Sequence, residues 1–151
     1  MKLDTQAIEI LGRNRLVSEL FRAGVEVAFP IRDRGIDLIA FGDRTGSRLT
    51  FAAAPIQMKG AQKKSFSIDQ KYEKIPQLLL AYVWGIEDEM HETFAMTYSE
   101  ALNIATEMGY TDAPCWKEKG LYDVTKPGKK LERLIREFQM TPERWLEKLG
   151  H

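Results

Sequence analysis

Apolar residues recur at three- and four-residue intervals near the start of the chain, and this spacing predicts a helix over residues 4–23. Side chains at such intervals lie on one face of a helix. Asp4 or Thr5 can cap its start, and Gly24 can end it. The residues that share the face are Ile8, Gly12, Leu16, Glu19 and Ala23.

Short apolar runs replace the helical spacing after Gly24 and predict strands. Pro55 lies near the end of the third run, and it removes one donor from a ladder. We therefore expect a bulge or an edge position there. A polar stretch over residues 61–74 predicts a loop, with a helical turn after Asp69. The three runs are residues 25–29, 36–41 and 49–58, and residues 43–47 form a turn between the last two.

The second half of the chain predicts two more strands and three helices. Residues 78–84 are continuously apolar, which favours a buried strand, although a helix also fits this pattern. Ser99 is expected to cap the first helix. The order of elements predicts an α/β domain with a central mixed sheet flanked by helices. The remaining elements are a strand at 93–98 and helices at 99–109, at 129–138 and from Thr141-Pro142 onward.

Size and composition favour one globular domain over residues 1–151, with a core at 4–98 and a C-terminal helical part at 99–151. The chain is 44% hydrophobic, enough for one core, and no apolar run approaches the length of a membrane span. Cys115 is the only cysteine, so no internal disulfide can form and a Cys/His zinc site is disfavoured. With a polar start instead of a signal peptide, we expect a cytoplasmic protein with no membrane partner.

Charge is balanced overall but uneven along the chain. The chain has 22 basic and 22 acidic side chains, and 13 Lys/Arg face 9 Asp/Glu within residues 1–74. A local basic surface can bind phosphates whatever the total charge. Ordinary solvated surface remains the alternative interpretation.

Three polar residues in two neighbouring apolar runs carry the functional hypothesis. Asp37 lies within one run, and Gln57 and Lys59 lie twenty and twenty-two residues later at the end of the next. Residues two apart on a strand project from the same face. A carboxylate, the amide oxygen of Gln57 and the carbonyl of Met58 can hold a hard divalent ion, Mg²⁺ or Mn²⁺. The Lys59 ammonium can then face the attacking water or the scissile phosphate.

This arrangement resembles the PD-(D/E)XK nuclease superfamily over roughly residues 8–75. The resemblance implies a restriction-endonuclease-like domain that cleaves phosphodiester bonds in DNA. It assigns the family's first aspartate to Asp37, its acid-x-lysine element to Gln57-Met58-Lys59, and its helix glutamate to Glu19, with Glu9 as the alternative. Gln57 replaces the usual acid, as in some members that resemble Holliday-junction resolvases and homing endonucleases.

Two functional hypotheses follow from the resemblance and the charges. One is a metal-dependent DNA endonuclease with Asp37, Gln57, Lys59 and Glu19 at its centre, working as a homodimer if two active sites are needed. The other is a non-catalytic nucleic-acid-binding or protein-interaction module on the same scaffold. Substitution of the acidic ligand by Gln57 favours the module, whereas retention of Asp37 and Lys59 favours the enzyme. The basic residues expected at DNA are Lys63, Lys64, Lys71 and Arg34.

Overall fold

A five-stranded mixed sheet organises the chain in a computed structural model that describes residues 2–43 and 51–150. The strand order is β1-β2-β3-β5-β6, with β3 and β5 parallel and the other neighbours antiparallel. A smaller antiparallel pair joins β4 to β7. The strands are β1 (Glu26–Ala28), β2 (Leu38–Asp43), β3 (Phe51–Ala61), β4 (Phe66–Asp69), β5 (Leu79–Trp84), β6 (Glu92–Thr97) and β7 (Leu121–Val124).

Helices flank the sheet, so the predicted α/β class with C-terminal helices is confirmed. No helix of the described residues is long and apolar enough to cross a bilayer. The α-helices are α1 (Thr5–Arg22), α2 (Tyr98–Glu107), α3 (Pro114–Lys119), α4 (Lys129–Arg136) and α5 (Pro142–Gly150), and short 3-10 helices cover Gln70–Lys74 and Tyr110–Asp112.

Two apolar cores lie on the two faces of the sheet. One joins α1 to the sheet through Leu16 and Leu20 and reaches Trp145 of α5. The other joins the opposite face to α2, α4 and the β4–β7 pair, with Leu131 and Ile135 fully buried. Successive side chains of β5 point into one core and then the other, so all six of its residues are buried. Burial on both faces explains why its sequence is continuously apolar.

The third strand changes partners halfway along. β2 pairs with β3 up to Leu38 opposite Ile56, and β5 pairs with β3 from Ile56 onward. Pro55 therefore lies where β3 has one partner strand, which tolerates its missing N–H. The register runs through Pro55 without an offset, so of the two alternatives predicted there, the position with one partner strand is present and the bulge is not. The turn predicted at residues 43–47 lies, apart from Asp43, outside the described residues.

Some local predictions were wrong in detail. Helix α2 is capped by Thr97, not Ser99: the Thr97 hydroxyl accepts from Glu100 N while the Glu100 carboxylate accepts from Thr97 N. The loop predicted at 61–74 contains strand β4, although the turn after Asp69 is helical as expected. Strand β7 and helix α3 were not predicted.

Candidate active site

The predicted triplet lies at the fork where β3 changes partners. Beyond Ile56 the β3 backbone bonds to β5 on one side, and β2 provides no partner on the other. Asp37 comes immediately before β2, and its backbone N–H donates to the Ile56 carbonyl at 2.9 Å. The fork therefore places the Asp37 side chain beside the open flank of β3.

The Asp37 carboxylate takes the place of the missing strand partner. Its Oδ2 accepts from the Met58 backbone N–H at 2.7 Å and from Gln57 Nε2 at 2.8 Å. Both bonds end on the same oxygen. Asp37 thus has a structural task at Met58, and neither of these two bonds uses its other oxygen, Oδ1.

The side-chain amide of Gln57 bridges two oxygens that the sequence predicts as metal ligands. Besides Asp37 Oδ2, its Nε2 group donates to the Met58 carbonyl at 3.3 Å. The polarised NH₂ group therefore lies between two oxygens of the kind that Mg²⁺ prefers. A half-turn of the amide would present its own oxygen instead. The three groups would then offer only oxygen atoms, the ligand type that a hard divalent ion prefers.

Asp37 provides the only carboxylate among these three donor groups. In residues 2–43 and 51–150, no group of three His, Cys, Asp or Glu side chains is placed to hold a metal ion. Metal affinity would therefore depend on Asp37 together with neutral amide and carbonyl oxygens, which attract a cation less than a second carboxylate does.

The pKa of the Asp37 carboxyl is raised above its usual value of 3.8. Burial is the main cause, because it disfavours the charged form. The hydrogen bond from Met58 lowers the pKa, the nearby carboxylate of Asp33 raises it, and the cations Arg13 and Lys59 lower it. A carboxyl perturbed by burial in a cleft, next to charged neighbours, is typical of functional sites.

The ammonium of Lys59 is held by Tyr72. Lys59 Nζ donates to the Tyr72 hydroxyl at 3.1 Å and lies 5.0 Å from the centre of its ring. Tyr72 is only 3% exposed, so its position is fixed by the core of the sheet's second face. This contact restricts the ammonium on the strand side of the cleft.

Helix α1 supplies the opposite wall of the cleft, which has a volume of about 300 Å³. The wall follows one stripe of the helix, since Thr5, Glu9 and Arg13 lie four residues apart and Ile8 adjoins Glu9. Glu9, the alternative to Glu19 in the sequence analysis, belongs to this stripe. The lining residues of α1 are Thr5, Ile8, Glu9 and Arg13, and the others are Asp33, Asp37, Gln57, Met58, Lys59 and Gly60.

Glu19 does not line this cleft. It is ten residues beyond Glu9, about 15 Å along the helix axis. Its Oε1 accepts from Trp145 Nε1 at 2.7 Å, and its Oε2 accepts from the Thr93 hydroxyl at 2.7 Å. His91 Nε2 is a further neighbour of Oε2, at 3.2 Å. Glu19 therefore ties α1 to β6 and α5.

The basic residues expected at DNA are spread over several surfaces. Lys63 and Lys64 line a different cavity, of about 580 Å³, and Lys64 pairs with Glu132 at 2.9 Å. Lys71 pairs with Asp69 at 3.5 Å and lies over the Tyr72 ring, on which Lys59 also lies. Arg34 is exposed in the segment between β1 and β2. None of the four lines the cleft.

Sequence reasoning missed two residues of the site, Arg13 and Tyr72. Arg13 follows Glu9 by four residues, so the two lie on one stripe of the helix. The sequence could have indicated Arg13 only if Glu9 had been preferred to Glu19 as the acidic residue of the site. Tyr72 lies in the helical turn predicted after Asp69, but no local pattern indicates that it contacts Lys59.

The comparisons with known proteins give no family for this chain: no protein-family model, no curated protein and no solved structure matches it.

Proposed function

We propose that this chain is a metal-dependent, endonuclease-like protein that cleaves phosphodiester bonds in DNA. The observation that carries the proposal is the meeting of Asp37, Gln57 and Lys59 in one cleft with Glu9 and Arg13. The likeness of Asp37 and Gln57-x-Lys59 to the pattern of PD-(D/E)XK nucleases supports the same chemistry. Glu9 replaces Glu19 in this proposal as the acidic residue of the helix.

Different residues of the cleft have different roles in hydrolysis, in which water adds across a P–O bond. A bound Mg²⁺ would neutralise charge on the phosphoryl oxygens and lower the pKa of a water molecule. Asp37, the Gln57 amide oxygen and the Met58 carbonyl would hold it. Lys59, held by Tyr72, offers a positive charge to the negative charge that develops during attack. Glu9 is exposed at the helix wall and can orient water.

A non-catalytic binding module on the same scaffold is the second candidate. The Gln57 amide favours it, because its NH₂ group already satisfies Asp37 and Met58 without a cation. In that case the cleft would recognise nucleic acid or a protein partner and leave it uncut. The superfamily that the triplet resembles often cleaves DNA with two active sites, so the enzyme hypothesis includes a homodimer. A cytoplasmic location suits either candidate.

Nicking of supercoiled and branched DNA with Mg²⁺ or Mn²⁺ tests the proposal. We expect the wild type to nick DNA and Lys59→Met to lose about a hundredfold to a thousandfold in rate, the scale of one charge-stabilising donor. Lys59→Met should keep metal-dependent thermal stabilisation, because Lys59 is not a metal ligand. Lys117→Met, an exposed lysine on α3, is the matched control and should nick normally. Equal rates for Lys59→Met and wild type would contradict the assigned role.

Gln57→Glu is expected to make the thermal stability of the chain depend on a divalent ion. The new carboxylate would face Asp37 Oδ2 and the Met58 carbonyl without the NH₂ bridge, so the ion-free variant should melt below the wild type. Mg²⁺ should raise its melting temperature more than that of the wild type, since ligand binding stabilises the folded state. Thermal unfolding across a Mg²⁺ titration measures this.

Gln77→Glu, at an exposed position away from the cleft, is the control for this titration. It should show no added response to Mg²⁺. If Gln57→Glu and the wild type both fail to respond to Mg²⁺ or Mn²⁺ and cut no substrate, the binding module replaces the enzyme.

A further inference from the structure

Arg13 lines the cleft from α1, directly after a glycine that faces the side chain of Met58 in β3. The preceding residue, Gly12, packs closely against two side chains: a Cβ there would lie 2.8 Å from Ile86 Cδ1 and 3.3 Å from the Met58 sulfur, so these side-chain ends would have to shift to admit it. The glycine therefore lets the helix backbone approach the strand. This close approach fixes the base of Arg13 beside the Asp37–Met58 fork.

The guanidinium of Arg13 has a donor without an acceptor. Its Nε atom is buried, and the described residues offer it no hydrogen-bond partner. A buried donor of this kind is rare, so it requires an explanation. Arginine presents its N–H groups in a flat fork that matches two oxygens of a phosphate.

The charges around Arg13 are suited to a phosphate. Arg13 of α1, Lys59 of β3 and Asp37 all line the same cleft. Two cations placed in this way can hold the negative oxygens of a phosphodiester next to the predicted metal ligands. The positive charge of Arg13 is close enough to Asp37 to offset part of the rise in its pKa that burial causes.

We propose that Arg13 is a phosphate-binding residue, whose guanidinium binds the non-bridging oxygens of a nucleic-acid phosphate on the helix wall of the cleft. The inference rests on the proposed function, which makes this cleft a nucleic-acid site. It adds a recognition element that lies on α1 and is independent of the metal.

Binding of a short fluorescein-labelled duplex in EDTA tests this role, because no metal and no cleavage are involved. Arg13→Gln is expected to weaken binding about tenfold, the scale of one charge-assisted hydrogen bond. The slope of log K against log salt should become shallower by about 0.9, the value for one lost phosphate contact. Arg133→Gln removes an exposed charge from α4 and is the matched control, with no change in affinity or slope expected.

Arg13→Lys keeps the charge but removes the fork, and it provides a second variant if Arg13→Gln does not fold. We expect it to retain the salt slope and lose part of the affinity. Oligonucleotides with a 5′-phosphate or a 5′-hydroxyl separate two sources of the bound group. An effect of Arg13→Gln on both means an internal phosphate, and an effect on the phosphorylated end alone means a terminal one.

The possible failures of the two proposals are distinct. If Arg13→Gln and Arg13→Lys bind DNA with the wild-type affinity and slope, the role of Arg13 is overturned, even where the wild type nicks DNA normally. If binding depends on Arg13 while no metal supports nicking, the inference holds and the catalytic proposal fails. A wild type that does not bind the duplex at low salt overturns the role of Arg13 as well.

Discussion

Asp37→Asn is expected to abolish Mg²⁺ binding and DNA cleavage and, at neutral pH, to leave the folded chain more stable than the wild type. Asparagine keeps an oxygen that can accept from Met58 N, so the fork between β2 and β3 should persist. It removes the only carboxylate of the predicted donor set. A metal site contributes several kcal/mol to the transition state, so the rate should fall about a thousandfold or more.

The gain in stability follows from the raised pKa of Asp37. In the folded chain this carboxyl keeps its proton to a higher pH than in the unfolded chain. Its stabilising effect is therefore fully present below the usual pKa of 3.8 and is lost as the pH rises through the folded-state pKa. The melting temperature of Asp37→Asn, relative to the wild type, should rise over that same range and then level off.

Metal binding should follow the same titration, because Mg²⁺ and the proton compete for Asp37. Wild-type stabilisation by Mg²⁺ should disappear on acidification at a higher pH than it would at an ordinary aspartate. Thermal unfolding across pH, with and without Mg²⁺, measures both effects. Asp123→Asn, at an exposed position on β7, is the matched control and should change neither. Cleavage by Asp37→Asn at the wild-type rate would rule out the proposed centre.

Local sequence signals were sufficient for the elements that create the fork. The continuous apolar run at 78–84 predicts a strand buried on both faces, and β5 is that strand. The twenty-residue interval from Asp37 to Gln57 spans one antiparallel connection, so neighbouring strands bring the two side chains to a 2.8 Å hydrogen bond. Pro55 indicated a place where β3 has one partner. Each of these predictions depends on residues close in sequence.

Long-range packing decides what the sequence did not predict. Strand β4 has four residues, and its partner β7 is more than fifty residues later, so neither run indicates the other. Glu19 lies on the predicted apolar face of α1 and Glu9 lies on the neighbouring stripe, and helical spacing cannot tell which of the two reaches the fork. That choice depends on where α1 crosses the sheet, and this crossing involves residues far apart in sequence, such as Gly12 against the side chains of Ile86 and Met58.

Glu19→Ala is expected to destabilise the fold by about 3–5 kcal/mol, because it leaves buried donors without an acceptor. Trp145 is 0% exposed and Thr93 is 3% exposed, and both donate to the Glu19 carboxylate at 2.7 Å. Water cannot readily replace the carboxylate at such sites. Loss of these bonds should also loosen α5, which Trp145 anchors to the core. Urea unfolding of Glu19→Ala and wild type measures the difference.

Glu9 and Glu19 form a matched pair on one helix that separates chemistry from stability. Glu9→Gln removes an exposed carboxylate from the cleft, so we expect nearly unchanged stability and a reduced rate of DNA nicking. Glu19→Gln keeps the size of the side chain but turns one acceptor into a donor, so it should lose stability while nicking DNA at the wild-type rate below its melting temperature. The opposite pattern, with nicking lost in Glu19→Gln and kept in Glu9→Gln, would return Glu19 to the catalytic centre and remove Glu9 from it.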